Sequence, residues 1–173
     1  MNDKESQITV RPMQTADIDT IFEACKAQGW VKPRTLYKHY WQQMQEGKGV
    51  LIVGEADGTF AGYITISWRS NYPPFREADI PELVDFNVMP RFRKKGVGTA
   101  IMDFAEAMIA ERSPRAGIGV GLTHDYGAAQ RLYVKRGYIP DGRGIFKYHD
   151  YVSIGDKIKV GHDVALYSTK QLR

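Results

Sequence analysis

The sequence predicts an α/β (α+β) fold in a single domain spanning residues 1–173, and three observations predict it. Segments with the two-residue period of strands interleave with segments of helical period, in the order β-α-α-β-β-β-α-β-α-β-β. Two β-rich runs within 49–68 flank Asp57-Gly58, a dipeptide whose tolerance of positive φ suits a tight hairpin turn. A strand stopped by Pro90 leads through the basic, glycine-containing stretch Arg93-Lys94-Lys95-Gly96-Val97-Gly98 straight into an apolar helix. No repeat, linker or low-complexity tract interrupts this order.

Each element has a local reason. "ITVRPM" (8–13) alternates apolar and polar residues as a half-buried strand does. In the next segment Ile18, Ile21, Phe22 and Cys25 fall at helical spacing, with Thr15 as the expected N-cap. A second helix follows Pro33, its stripe made of Leu36, Tyr40, Trp41 and Met44, and Gly47 stands after its end. After the hairpin, "NYPPFREAD" (71–79) reads as a proline-containing loop, and "IPELVDFNVMP" (80–90) as a strand. Val97, Ile101, Phe104, Ala105, Met108 and Ile109 then recur at helical spacing until Ser113-Pro114. "GIGVGLTH" (117–124) is a glycine-rich strand, in which missing side chains imply close approach by another backbone or a ligand. A short helix over 126–137 and two closing strands complete the chain.

Composition removes several functional classes. No stretch approaches the roughly 20 apolar residues of a membrane helix, and "MNDKESQITV" lacks the apolar run of a signal peptide, so a cytoplasmic location and no membrane partner are expected. The lone cysteine, Cys25, excludes an internal disulfide and reads as a packed thiol. The net charge of +4 is spread along the chain, and the one dense basic run is too short to follow a duplex, so no nucleic-acid partner is expected. His39, His124, His149 and His162 lack the paired spacing of a zinc site, and no metal is expected.

The glycine stretch has a chemistry of its own. A strand that turns through glycines into a helix leaves free N–H groups aimed the same way at the positive end of the helix dipole, which favours an anion. Gly96-Val97-Gly98 lacks the continuation of both the mononucleotide loop and the dinucleotide fingerprint. It resembles instead, position for position, the Arg/Gln-x-x-Gly-x-Gly/Ala signature of the GNAT superfamily of acetyl-CoA-dependent N-acetyltransferases. The preceding "DFNVMPRF" resembles that family's strand of apolar-x-Val-x-Pro type, and "AAQRLYVKRGY" resembles its second signature, Ala-x-x-Leu-Tyr-x-x-x-Gly-Phe/Tyr. The resemblance runs from Ile8 to about Leu166.

The resemblance implies a mixed, mostly antiparallel sheet of about seven strands, splayed between the fourth and fifth, with about four flanking helices. It implies acetyl-CoA as co-substrate, with the pyrophosphate on the amides of Lys94, Lys95, Gly96, Val97, Gly98 and Thr99, Arg93 nearby, and the backbone of Val88 holding the thioester carbonyl. Many members carry an asparagine six residues before the leucine of the second signature; Tyr126 stands there in this chain, with Asp125 beside it as a substitute contact.

Acetyl transfer to an amine needs a base, a stabilised oxyanion and a proton for the departing thiolate. Tyr133, in the family's Leu-Tyr position, is the expected proton donor, since a tyrosine titrates near 10, close to a thiol. Strand alternation puts Glu82, Val84, Phe86 and Val88 on one face and Leu83, Asp85, Asn87 and Met89 on the other. Glu82, four residues before Phe86, occupies the position of a catalytic glutamate in a subset of the family and is the preferred base, acting directly or through a water. Asp85 is the alternate, on the wrong face unless a bulge shifts the register. The oxyanion is assigned to the Val88 amide.

The acceptor is read as a primary amine of a small molecule, because Glu77, Asp79, Glu82 and Asp141 lie among aromatic residues in the segments expected to receive it. Protein or peptide amines are the alternative acceptors. A non-catalytic acetyl-CoA-binding module is the rival of another class, and the pairing of Tyr133 with Glu82 speaks against it. The segment from Tyr138 to Asp163 is long for a strand connection and has two candidate roles, cover for the acceptor site or contact in a homodimer.

Overall fold

Alternation from Ile8 onward draws the chain into strand β1 (Ile8–Pro12), antiparallel to β2 (Gly49–Ala56) with Ile8 opposite Ala56 and Pro12 opposite Ile52. The computed structural model describes residues 7–173. They group into two units, the first comprising the chain up to Trp68 together with Leu83–Met108, the second Arg69–Glu82 together with Ile109–Arg173. Eight strands and five α-helices are present among the described residues, one strand and one helix beyond the sequence expectation.

In the first unit the strand order is β1-β2-β3-β4, with β3 at Thr59–Ser67 and β4 at Glu82–Val88. The predicted turn joins β2 to β3: Ala56 pairs with Thr59, and Asp57 and Gly58 take φ values of 50° and 71°. Helices α1 (Asp17–Ala27) and α2 (Arg34–Gln45) pack on this sheet. Thr15 is not the N-cap of α1. The helix starts after Ala16 without a side-chain cap, and Asp17 instead accepts the Gln14 N–H at 2.7 Å and two bonds from Arg11 at 2.7 and 3.0 Å. Burial pushes the Asp17 carboxyl up, but these donors outweigh it and hold the group below its ordinary value.

The stripe expected to anchor α2 lies only partly buried, and the fully buried residue is Tyr37. Its hydroxyl donates to Cys25 Sγ at 3.3 Å. Cys25 is the packed thiol the sequence suggested, and burial pushes its pKa up.

The second unit orders its strands β5-β8-β6-β7, with β5 at Arg115–Gly121, β6 at Ile139–Lys147, β7 at Asp150–Tyr151 and β8 at Val164–Gln171. β5 and β8 are antiparallel from Arg115–Gln171 to Gly121–Ala165. The stretch read as a loop carries a third helix, α3 (Pro73–Glu77). Its two prolines occupy the first turn, where a helix has no use for their missing N–H groups, and Phe75 supplies the buried anchor. What approaches the glycines of β5 is aromatic: a Cβ on Gly117, Gly119 or Gly121 would stand 2.3, 2.9 and 2.4 Å from the rings of Phe75, Tyr167 and Tyr126. The remaining helices are α4 (Val97–Ala110) and α5 (Gly127–Lys135).

Candidate active site

The segment expected to seat an anion lies in the first unit, where β4 gives way to α4. A 3-10 turn over Pro90–Phe92 follows the strand, and Lys94 and Gly96 then take φ values of 60° and 83°. The Ala100 N–H donates to the Gly96 carbonyl at 3.0 Å and starts the helical ladder, so the amides of Val97, Gly98 and Thr99 have no acceptor within the helix. Arg93, Lys94, Lys95, Gly96 and Thr99 are exposed, while Val97 is buried as the first core residue of α4. Open amides, the helix dipole and three exposed cations fit a diphosphate.

Two details sharpen this seat. Arg93 Nε donates to the Val88 carbonyl at 3.1 Å, tying the loop to the end of β4. Gly98 keeps ordinary backbone geometry, and a Cβ there would meet Phe86 Cζ at 3.3 Å and Val88 Cγ2 at 3.4 Å. Its missing side chain lets α4 lie close on β4, whereas the left-handed φ at Gly96 shapes the turn itself.

Asp85 breaks the alternation of β4. Its φ of 52° is left-handed, in the middle of a strand, and this supplies the irregularity on which its candidacy depended. Four side chains surround its carboxylate: Lys32 pairs with Oδ1, Asn87 Nδ2 donates to Oδ1 at 2.9 Å, and the Tyr63 and Tyr40 hydroxyls donate to Oδ2 at 2.8 and 3.3 Å. With a cation and three donors on it, this carboxylate is engaged as an acceptor at both oxygens.

Glu82, grouped with the second unit, has the opposite environment. It is 7% exposed, and its one described donor is the Ser70 hydroxyl, 2.5 Å from Oε2. Burial pushes its pKa up to about 7, against a smaller lowering by Ser70. Nothing local to Ser70, twelve residues earlier, marks it as a partner of Glu82. Its Oγ also accepts the Tyr72 N–H at 2.9 Å, fixing the start of an aromatic cluster. Tyr72 stacks on Tyr167 with centroids 3.7 Å apart and meets Phe75 and Phe146 edge-on, while its hydroxyl donates to Asp141 at 2.7 Å. Of the four acidic groups expected near the acceptor, Glu82 and Asp141 join this cluster; Glu77 and Asp79 are exposed.

Tyr133 lies on α5, 7% exposed, with its ring 6.1 Å from that of Tyr138. Burial pushes its pKa above 10, with a smaller contribution from Tyr126, so the phenol keeps its proton across the neutral range but is less closely matched to a thiol than expected. Tyr126 closes a 3-10 turn before α5. Its hydroxyl lies 2.8 Å from His162 Nδ1, a residue of the long segment between β7 and β8 that nothing in the sequence linked to this position. Asp125 is exposed, and a hydrogen bond from Thr123 leads the causes that lower its pKa.

The family model described as Acetyltransferase (GNAT) family matches residues 15–138. No curated protein sequence matches the chain. Solved structures share the fold at low identity. An N-acetyltransferase from Staphylococcus aureus Mu50 superposes with a TM-score of 0.70 at 13% identity, covering 97% of this chain and 100% of that one. The ribosomal-protein-S18-alanine N-acetyltransferase from Escherichia coli gives 0.70 at 15%, covering 96% and 94%. The PaiA N-acetyltransferase from Thermoplasma acidophilum, solved in complex with coenzyme A, gives 0.64 at 14%, covering 95% and 99%.

Proposed function

Because the chain belongs to the GNAT acetyltransferase family, we propose that it acts as one catalytic domain that moves the acetyl group of acetyl-CoA to a primary amine of a small molecule. The observation that carries this reading is Glu82, a buried carboxyl with a single described donor, whose pKa near 7 suits a general base at neutral pH.

In this mechanism acetyl-CoA supplies an activated acyl group, and the protein's residues do the rest. The amides from Lys94 to Thr99 and the cations Arg93, Lys94 and Lys95 take the diphosphate, with Tyr126 as a further cofactor contact. Glu82 withdraws a proton from the acceptor, directly or through a water, so that a neutral amine attacks. The Val88 amide meets the negative charge that grows on the carbonyl oxygen. Tyr133, held protonated by burial, gives its proton to the thiolate as the carbon–sulfur bond breaks, and the second proton shed by the acetylated nitrogen restores the phenol, directly or through water. Asp85 is left out of the proton path because its acceptor sites are already engaged.

Release of free thiol from acetyl-CoA in the presence of a broad panel of primary amines tests the reading. One or more small amines should be turned over, with a loss of at least roughly tenfold in Tyr133→Phe. Undiminished turnover in that variant removes Tyr133 from the mechanism. Acetylation of peptides alone, with every small amine refused, reassigns the acceptor to a polypeptide.

A further inference from the structure

The groups around Asp85 make a box for an ammonium ion, and one of the chain's own lysines fills it. Lys32 Nζ pairs with Asp85 Oδ1, donates to the Tyr63 hydroxyl at 3.0 Å and lies 5.6 Å from the centre of the Tyr63 ring. Carboxylate, hydroxyl and π face together are a typical set for holding a cation. The Tyr40 hydroxyl and the Asn87 amide complete the carboxylate's shell. Thr65, two residues beyond Tyr63 on β3 and so on the same face, adds a buried hydroxyl that interacts with that of Tyr40.

Lys32 is the least anchored member of the box. Tyr63 and Thr65 sit on β3, Asp85 and Asn87 on β4, and Tyr40 on α2, whereas Lys32 comes from the loop joining α1 to α2. In that loop the Lys32 N–H bonds the Trp30 carbonyl at 3.0 Å, the Trp30 N–H bonds the Cys25 carbonyl at 3.1 Å, and Val31 between them is 99% exposed. A long, flexible side chain held from a loop is readily exchanged for an external cation, which frees its rotamers. Asp85 also precedes Val88 by three residues on the same strand, a separation of about 10 Å at the usual rise.

We propose that this box recognises a second positive charge on the acceptor, and that Lys32 is a resident ammonium which the acceptor displaces. The proposal rests on the transferase reading above and narrows its acceptor to aliphatic di- or polyamines, with one nitrogen acetylated near Val88 and another, several methylenes away, seated against Asp85. Lys32 is then a specificity residue that sets the threshold for entry.

The test compares diaminohexane and diaminobutane with hexylamine and butylamine, in binding by calorimetry without acetyl-CoA and in turnover with it. The wild type should bind each diamine at least about tenfold more tightly than the matching monoamine. Lys32→Ala should tighten diamine binding by about tenfold, and lower KM for diamines without a matching change for monoamines. Asp85→Asn should erase the preference. Equal affinity of the wild type for diamine and monoamine overturns the proposal, as does unchanged or weaker diamine binding in Lys32→Ala, and neither result depends on whether Asp85→Asn folds. The two readings fail separately. Acetylation of amines with no dependence on a second charge overturns the box and leaves the transferase standing; diamine binding that follows Lys32, with no acetylation of any amine, supports the box and overturns the transferase reading.

Discussion

Glu82 carries a cost as well as a proposed use. Its folded pKa of about 7 lies above the ordinary 4.5, so between these values the folded chain binds the proton that the unfolded chain has released. Stability from this group is therefore fully present below about pH 4.5 and declines as the pH rises to about 7, where the whole penalty, roughly 3 kcal/mol, is in place. Glu82→Gln keeps the shape and the Ser70 contact without the charge. Urea unfolding should find variant and wild type similar near pH 4 and the variant increasingly more stable by pH 8. A gap that stays constant with pH would mean that Glu82 is not buried as a charge. The sequence marked this residue as the preferred base but did not reveal its burial, because nothing local announces that the Ser70 hydroxyl donates to it.

Among the elements, β4 and α4 show what a pattern in sequence can and cannot reveal. The order of strand, glycine turn and helix was legible because proline, glycine and helical periodicity are local signals, and the hairpin at Asp57-Gly58 was legible for the same reason. The left-handed Asp85 was not, since four side chains from three other segments and β4 itself hold it there. α3 was missed because Pro73 and Pro74 look like loop residues until one sees that they fill the only turn of a helix that tolerates them. Gly98 also changes meaning: its tight approach to Phe86 and Val88 makes it a packing position. Gly98→Ala should cost about 1 kcal/mol by pushing α4 from β4, while coenzyme A still raises the melting temperature of the variant. Complete loss of that rise would show that Gly98 faces the cofactor.

For the molecule as a whole, family membership was legible from two short signatures, because they encode backbone geometry that the family's cofactor requires. The long-range partners were not: Lys32 with Asp85, Ser70 with Glu82 and Tyr126 with His162 join residues 53, 12 and 36 positions apart. Coenzyme A at a hundred times its Kd should stabilise the folded chain by about 2.7 kcal/mol, and Gly96→Glu, which puts a negative side chain on a left-handed residue of the anion seat, should remove that gain. Survival of the full shift in Gly96→Glu would move the phosphates elsewhere.

The decisive experiment is the pH dependence of kcat/KM for an accepted amine, measured in parallel for the wild type and Glu82→Gln. A base of pKa about 7 predicts a wild-type rate that rises with pH and inflects near 7, and a variant that is slower by at least about a hundredfold without that inflection. Equal rates in the two proteins, or the same inflection in both, would contradict the assignment of Glu82 as the base.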